Sequence, residues 1–247
     1  MAEPVEPSPV ELSVVVPVRD EAENVGPLVL EIVAALRGQG PSEIVFVDDG
    51  SSDATVETLL TLKHELPNLR VLSHQGNFGQ SRAIRSGVRA AHGRVIVTLD
   101  GDGQNDPADI PTLLAAFHAA PEDVAMVSGV RVKRRDTIKK RIASRLANGL
   151  RGWLLGDHAT DVGCGLKAFY REAFLELPYF DHMHRYLIAL IQREGHAVQF
   201  VNVRHRARAH GKSKYGVVDR ALAGFADIRG VMWLKKRSRG APAIKEL

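Results

Sequence analysis

The sequence predicts a single α/β domain built on a mostly parallel central sheet. Three observations predict it. Short, almost continuously apolar runs rich in Val and Ile recur along the first half of the chain, stretches of helical periodicity lie between them, and several runs end in aspartate. Strands buried on both faces read as unbroken apolar runs, and strand–helix alternation with short turns implies right-handed crossovers. The 247 residues, 45% hydrophobic and 25% charged, suit one large domain with a sizeable core.

The elements follow in order. Met1–Pro9 holds two glutamates and three prolines and reads as a loose acidic tail, so residues 1–10 are set apart. Leu12–Val18 is the first strand. Glu23–Arg37 carries Val25, Leu28, Val29, Ile32, Val33 and Leu36 at helical spacing. Glu43–Val47 is the second strand and runs into Asp48-Asp49-Gly50. Ser52 or Asp53 can cap a helix that reaches about Leu66. Leu69–Leu72 is the third strand. Gly79–His92 is the next helix, with Gly93 expected at its C′ position. Arg94–Leu99 is the fourth strand, ending at Asp100, and Val124–Val130 is the fifth. Arg131–Leu155 reads as a basic amphipathic helix. Val198–Val203 alternates like a half-buried strand and leads into a basic loop, Arg204–Lys214. Val217–Leu234 is a helix with Val218, Leu222, Phe225, Ile228, Met232 and Trp233 near one face. No internal linker divides the chain.

Composition excludes several classes. One cysteine rules out a disulfide framework and a Cys-based zinc cluster. Cys164 itself reads as a small buried residue rather than a nucleophile. No apolar run approaches the ~20 residues of a membrane span, and no secretory leader pattern opens the chain. The expected compartment is the cytosol. There is no Walker A, no Gly-x-Gly-x-x-Gly after the first strand, no Gly-x-Ser-x-Gly and no His-Glu-x-x-His.

Charge is unevenly spread. Residues 1–130 hold 8 Lys and Arg against 19 Asp and Glu, and residues 131–247 hold 25 against 10. Arg131–Arg151 and Arg204–Arg239 carry most of the positive charge. A basic half suggests a polyanionic partner such as phosphate-bearing substrates or anionic lipid, against the blander reading of a solvated basic face. Nucleic acid is not expected, because few aromatics punctuate the basic runs and the strand-end carboxylates would repel phosphate.

Those carboxylates are the strongest local signal. Asp48 and Asp49 end one strand, and Asp100 and Asp102 end another. In an open α/β sheet, ligands bind outside the carboxyl ends of the strands, so both pairs should face one crevice. Either pair alone reads equally well as turn chemistry. In Asp100-Gly-Asp102-Gly-Gln104, alternation in an extended turn would point two carboxylates and an amide to one side. Hard oxygens at that density suit Mg²⁺ or Mn²⁺ shared with substrate phosphates.

Four stretches together carry a resemblance: VVVPVRDEAENV at 14–25, IVFVDDGSSDAT at 44–55, NFGQSRAIRSGVRAAHGRVIVTLDGDGQNDP at 77–107 and RARAHGKSKYG at 206–216. A weaker one, DVGCGLKAFYR, lies at 161–171. The chain resembles family 2 glycosyltransferases of the GT-A fold. More narrowly it is similar to the polyprenyl-phosphate glycosyltransferases of the dolichyl-phosphate mannose synthase type. The match spans about residues 12–220.

The resemblance implies a GT-A, Rossmann-like domain over 11–220 with a C-terminal amphipathic helix and basic tail over 221–247. It implies a metal-dependent, inverting enzyme that moves a mannose- or glucose-type sugar from a GDP- or UDP-sugar to a polyprenyl phosphate. The alternative is a family 2 transferase acting on a hydroxyl of a glycan or small molecule. Pro17, Arg19, Glu21 and Asp49 are then expected around the nucleotide. Asp100, Asp102 and Gln104 are expected at the metal and diphosphate, with Arg208, Lys212 and Ser213 closing over the diphosphate. Arg131, Ser144 and either Lys140 or Arg141 are expected at the acceptor phosphate. Asp102 and Arg208 are the expected catalytic residues. Gly101 replaces an Ala of many relatives, a change expected to be minor, and Arg19 departs from the family's usual residue there. His184 and Arg185 are candidates to contact acceptor or sugar.

A phosphate acceptor is largely dianionic near pH 7 and needs cations rather than a base. A hydroxyl acceptor would need a carboxylate base, and Asp161 is the one candidate. The lipid would be met at a membrane surface: Phe225, Ile228, Met232, Trp233 and Leu234 beside Lys235, Lys236, Arg237 and Arg239 suit an interfacial helix on the cytoplasmic face. A helix packed on the core is the alternative, and a separate membrane-anchored partner protein is a further candidate.

Overall fold

Apolar runs too regular to be half-exposed become strands with helices on both sides. The structure is a computed structural model. It describes residues 10–132, 149, 151–152, 154–157, 159, 161–207 and 217–238, with backbone alone at 217–223 and 225. The strands are β1 Leu12–Val18, β2 Ser42–Asp48, β3 Leu69–Ser73, β4 Val95–Thr98, β5 Val124–Arg131, β6 Lys167–Tyr170 and β7 Ala197–Val203. They form one sheet in the order β3-β2-β1-β4-β6-β5-β7. β1 runs parallel to β2 and β4, β2 to β3, and β5 to β7. β6 alone is antiparallel, wedged between β4 and β5.

The helices are α1 Ala22–Ala35, α2 Thr55–Glu65, α3 Gln80–Ala90, α4 Ile110–His118, α5 Arg171–Leu175, α6 Leu187–Arg193 and α7 Val217–Arg237. Strand side chains alternate between two cores. Val14, Val16, Ile44, Phe46 and Val97 join the core that holds Val25, Val29 and Leu113. Val15, Val45, Val47 and Ile96 join the one that holds Ala83, Val88, Leu190 and Val231. Full burial of a Val or Ile is worth roughly 1.5–3 kcal/mol, so the fully covered β1 and β2 are the sheet's strongest members.

Several expectations need correction. β6 was not anticipated: four residues inside a motif give too short a run to separate from a loop. Gly93 is not a left-handed helix cap. The chain is already extended at Ala91, and Gly93 lies where a Cβ would meet the Ser13 nitrogen at 2.6 Å. The N-cap of α2 is Ala54, without a side-chain cap; Asp53, one residue earlier, accepts from the Thr55 N–H at 3.0 Å. Its second oxygen accepts from the Ala22 N–H at 3.2 Å and so ties α2 to α1. Of the helix expected over Arg131–Leu155, residues 149, 151–152 and 154–155 are helical, Arg131 ends β5, and most of the rest lies outside the described residues.

The C-terminal helix packs on the body. Val231 is fully buried, and Ile228, Met232 and Leu234 lie against the second core. Tyr186 Oη donates to the Gly224 carbonyl and Arg193 Nε to the Leu234 carbonyl. Much of the apolar face assigned to a membrane is therefore spent on the core. Trp233 remains exposed, with the Arg237 guanidinium 5.7 Å from its ring centre. Among the described residues no helix is long and apolar enough to cross a membrane.

Candidate active site

The carboxyl ends of β1, β2, β4 and β5 open on one edge of the sheet. Because β6 runs the other way, its first residue reaches that same edge: Lys167 pairs with Thr98 of β4 and Ser128 of β5. A cavity of about 240 Å³ opens there, lined among others by Gln80, Asp100, Gly165, Lys167, His184 and Arg185.

Asp100 follows β4. Its N–H donates to Asn105 Oδ1 at 3.0 Å, and its Oδ1 accepts from Gln80 Nε2 at 2.8 Å. Only a glycine fits at 165, since a Cβ there would lie 2.4 Å from Asp100 Oδ2. Burial pushes the Asp100 carboxyl above its ordinary range, and the charge of Asp102 adds to the rise. The segment is a tight turn rather than an extended one. Gly103 has φ +72° and Asp102 Oδ1 accepts from the Gln104 N–H at 3.1 Å. Gln104 is tied in through its backbone, its carbonyl accepting from the Arg206 N–H at 2.9 Å. Gly101 matters more than expected, because a Cβ would meet Val18 Cγ1 at 2.4 Å and the Pro17 carbonyl at 2.9 Å.

On the opposite side, Arg131 ends β5 and is gripped by Asp161. Nε donates to Oδ2 at 2.7 Å, Nη2 to Oδ1 at 2.6 Å, and the Arg131 backbone N–H to Oδ2 at 3.1 Å. Burial opposes the guanidinium charge, but the hydrogen bond and charge of Asp161, with Cys164 and Asp100 adding to them, together raise the Arg131 pKa. Arg131 Nη1 meets no partner among the described residues. Lys167, which the sequence reading did not single out, is buried and donates to the Cys164 carbonyl. Burial lowers its pKa, while Cys164, Asp100 and Asp161 counteract. Cys164 is fully buried with its thiol pKa pushed up by that burial, as expected of a packing residue.

Past the carboxyl end of β2, Asp49 is heavily used by the protein. Oδ1 accepts from the Phe78 N–H at 2.9 Å and lies 2.8 Å from His74 Nδ1, and Oδ2 accepts from the Gly79 N–H at 2.7 Å. The carboxylate thus shapes the loop before α3, leaving capacity on Oδ2. Pro17 sits within β1 opposite Val47. Arg19 lies 3.7 Å from Asp20, and Glu21 opens α1, its Oε2 accepting from Asn24 Nδ2 at 2.5 Å.

The loop after β7 is latched onto the Asp100 turn. Arg204 Nε donates to Asp109 at 2.9 Å, and Arg206 bridges Asp106 at 2.5 Å and Glu31 at 2.7 Å. His205 and Asn105 form a β-bridge. These arginines, read from sequence as part of a polyanion-binding cluster, are largely neutralised by the protein. Arg208, Lys212 and Ser213 lie outside the described residues, as do Lys140, Arg141 and Ser144. The latch nevertheless brings the chain to the Asp100 turn two residues before Arg208.

His184 lies in the turn Met183–Arg185, its Nδ1 2.7 Å from Ser81 Oγ. Burial, with Arg185, Lys167 and His182 nearby, lowers its pKa to about 3.

Among the described residues no three His, Cys, Asp or Glu side chains converge as a metal cage. The donor set that is present, two carboxylates with Asp102 close enough to oppose ionisation of Asp100, suits a hard divalent cation completed by substrate oxygens and water.

Comparison with known proteins agrees with the sequence reading. The Glycosyl transferase family 2 model matches residues 13–177. Dodecaprenyl-phosphate galacturonate synthase from Rhizobium johnstonii is 36% identical over 231 residues, covering 92% of this chain and 68% of that protein. Undecaprenyl-phosphate 4-deoxy-4-formamido-L-arabinose transferase from Edwardsiella ictaluri is 36% identical over 211 residues, covering 84% of this chain and 63% of that protein. The chain thus spans about two thirds of the length of these relatives. Neither is a mannose synthase. Glucosyl-3-phosphoglycerate synthase from Mycobacterium tuberculosis, solved with Mn²⁺, UDP-glucose and phosphoglyceric acid, superposes with a TM-score of 0.68 at 19% identity, over 92% of this chain and 79% of that one. That likeness establishes the GT-A-like fold.

Proposed function

The chain belongs to glycosyl transferase family 2, and from that premise we propose that it transfers a sugar from a nucleoside-diphosphate sugar to a polyprenyl phosphate, with inversion at the anomeric carbon. Two relatives, named for dodecaprenyl- and undecaprenyl-phosphate products, support the acceptor class.

One observation favours a phosphate over a hydroxyl acceptor. Asp161, the one carboxylate considered as a base, gives both oxygens to Arg131. It is an anchor that aims a guanidinium, and a guanidinium suits a phosphate. A phosphate monoester needs orientation more than deprotonation.

Asp100 and Asp102 would hold a divalent ion, Mg²⁺ or Mn²⁺, which when bound would neutralise charge on the departing nucleoside diphosphate. The chain's own residues do the rest. Gly165 and Gln80 fix the Asp100 carboxylate. Arg208, with Lys212 and Ser213, follows the Arg204–Arg206 latch in sequence and would close over the diphosphate. Arg131 holds the acceptor phosphate in line, with Ser144 and Lys140 or Arg141 expected beside it. Pro17, Arg19, Glu21 and the loop shaped by Asp49 frame the nucleotide. Trp233 and the basic end of α7 would meet a membrane surface on the cytoplasmic face.

The test is a transfer assay. The protein is mixed with radiolabelled UDP- and GDP-sugars, undecaprenyl or dolichyl phosphate in detergent, and Mg²⁺ or Mn²⁺. Label entering the organic phase, lost with EDTA and in Asp102→Asn, is the expected result. Donor binding or hydrolysis without lipid label would overturn the acceptor assignment. In that assay Arg208→Ala should lower kcat more than it raises donor KM, and a pure KM effect would remove it from the transition state.

A further inference from the structure

Two neighbouring residues in the first turn of α3 reach two different walls of the cavity. Gln80 donates to Asp100, and Ser81 faces the Met183–Arg185 turn. Ser81 Oγ accepts the His184 backbone N–H at 3.3 Å and lies 2.7 Å from His184 Nδ1. A hydroxyl has one proton and two acceptor sites. Ser81 is 1% exposed and meets no other acceptor among the described residues. Were Nδ1 to donate as well, the buried hydroxyl proton would be stranded, which folded proteins avoid. The proton of Ser81 therefore goes to Nδ1, and the ring proton sits on Nε2.

Nε2 meets no protein partner among the described residues, and the ring lines the cavity. Burial, with the charges of Arg185, Lys167 and His182 adding to it, lowers the ring's pKa to about 3, so the ring is neutral near pH 7. The arrangement is a donor of one fixed tautomer with a vacant proton. Beside it are an amide, Gln80, and the apolar walls of Ile84 and Leu187. Lys167 and Arg185 line the same cavity, but Lys167 already donates to the Cys164 carbonyl, and a neutral N–H beside apolar walls matches a sugar hydroxyl better than a phosphate oxygen, which a cation serves better. The cavity adjoins Asp100, and it has room for a pyranose ring.

We infer that His184, locked by Ser81 as the Nε2-protonated tautomer, donates a hydrogen bond to an oxygen of the transferred sugar. His184 is then a specificity-determining residue and Ser81 a positioning residue. The inference rests on the nucleotide-sugar reading of the site.

The experiment compares sugar and nucleotide binding. The full chain with Mn²⁺ is titrated with UDP, GDP and a panel of UDP- and GDP-sugars. His184→Phe should leave affinity for the free nucleoside diphosphate unchanged and weaken the matching nucleotide sugar by about tenfold, the worth of one hydrogen bond. His184→Gln, which can still donate, should recover part of that loss. Histidine ¹⁵N spectra, with the His184 signals identified by their absence from His184→Gln, should show one neutral Nε2–H tautomer from pH 5 to 8. Ser81→Ala should mix the tautomers. Unchanged sugar affinity in His184→Phe, or an Nδ1–H ring in the wild type, overturns the inference while leaving the enzyme class standing. Failure of the wild type to bind any nucleotide or nucleotide sugar overturns the site reading, and this inference with it.

Discussion

Asp100 and Asp161 flank the same crevice, and the protein treats them in opposite ways. Asp161 receives three hydrogen bonds from Arg131. Asp100 receives one side-chain bond, from Gln80, and sits beside Asp102, so burial and a like charge push its pKa up. Lys167 and Arg131 offset this incompletely. On the Arg131 side the carboxylate is consumed in an ion pair that orients a cation. On the Asp100 side burial and a neighbouring carboxylate oppose ionisation. The same residue type thus acts as scaffold in one place and, in the proposed reading, as a metal ligand in the other.

The largest effect should come from the carboxylate pair. Asp102→Asn keeps the acceptor oxygen that closes the turn with Gln104, so the fold should survive. Transfer should fall about 10³-fold, the scale of losing one main electrostatic contribution to the transition state. Turnover within tenfold of wild type, with an unchanged melting temperature, would remove the metal role from Asp102 and break the comparison.

The completed pair should fail differently. Arg131→Ala removes the guanidinium that takes both Asp161 oxygens, at a cost of about 3–5 kcal/mol. Denaturant unfolding reads that loss directly. Arg131→Met with Asp161→Leu replaces both charges and should return most of the stability. It should not return lipid transfer, while donor binding stays normal. Recovery of transfer in the double variant would reduce the pair to a structural one.

Gly165→Ala sharpens the contrast at the next level down. Its methyl would lie 2.4 Å from Asp100 Oδ2, so the carboxylate must move. A displacement near 1 Å in a reacting site costs about 10²-fold, and transfer assays should show it with little change in Asp161 or Arg131. Wild-type kinetics would mean that the Asp100 position is tolerant.

Much of this was legible in the sequence because it is local. β1, β2 and β4 are continuous apolar runs, and Asp49 and Asp100 follow such runs directly. The family motifs place the GT-A-like domain. What was not legible depends on partners distant in sequence. Nothing in the basic cluster Arg204–Arg239 says that Arg204 and Arg206 are already paired with Asp106, Asp109 and Glu31. Lys167 was passed over because its place at the site depends on β6 running antiparallel, which four residues do not announce. The signal that could have found it is a lysine inside an otherwise apolar stretch beside a family motif. The sequence of the last helix leaves interfacial and core-packed readings open, because amphipathicity shows that a face is apolar and not what covers it.

The smallest expected effect tests the contrast at its physical root. The Asp100 pKa is raised in the folded protein, chiefly by burial and then by Asp102. A raised carboxyl pKa means that the protonated form is the one folding prefers. Its contribution to stability is present in full below the unfolded pKa and is lost as pH rises through the folded one. Wherever Asp100 is ionised, it therefore weakens the fold. Asp100→Asn, neutral at every pH, should raise the melting temperature at pH 7 by about 2–4 °C, the shift that ~1 kcal/mol gives a domain of this size, while abolishing transfer. Added Mn²⁺ should stabilise the wild type and leave Asp100→Asn unmoved. Stability and activity would then oppose each other at this one residue, as expected where a charge is held for a ligand rather than for the fold. A lower melting temperature in Asp100→Asn would show that Lys167 and Gln80 already satisfy the carboxylate, and that it belongs with Asp161 among the scaffold.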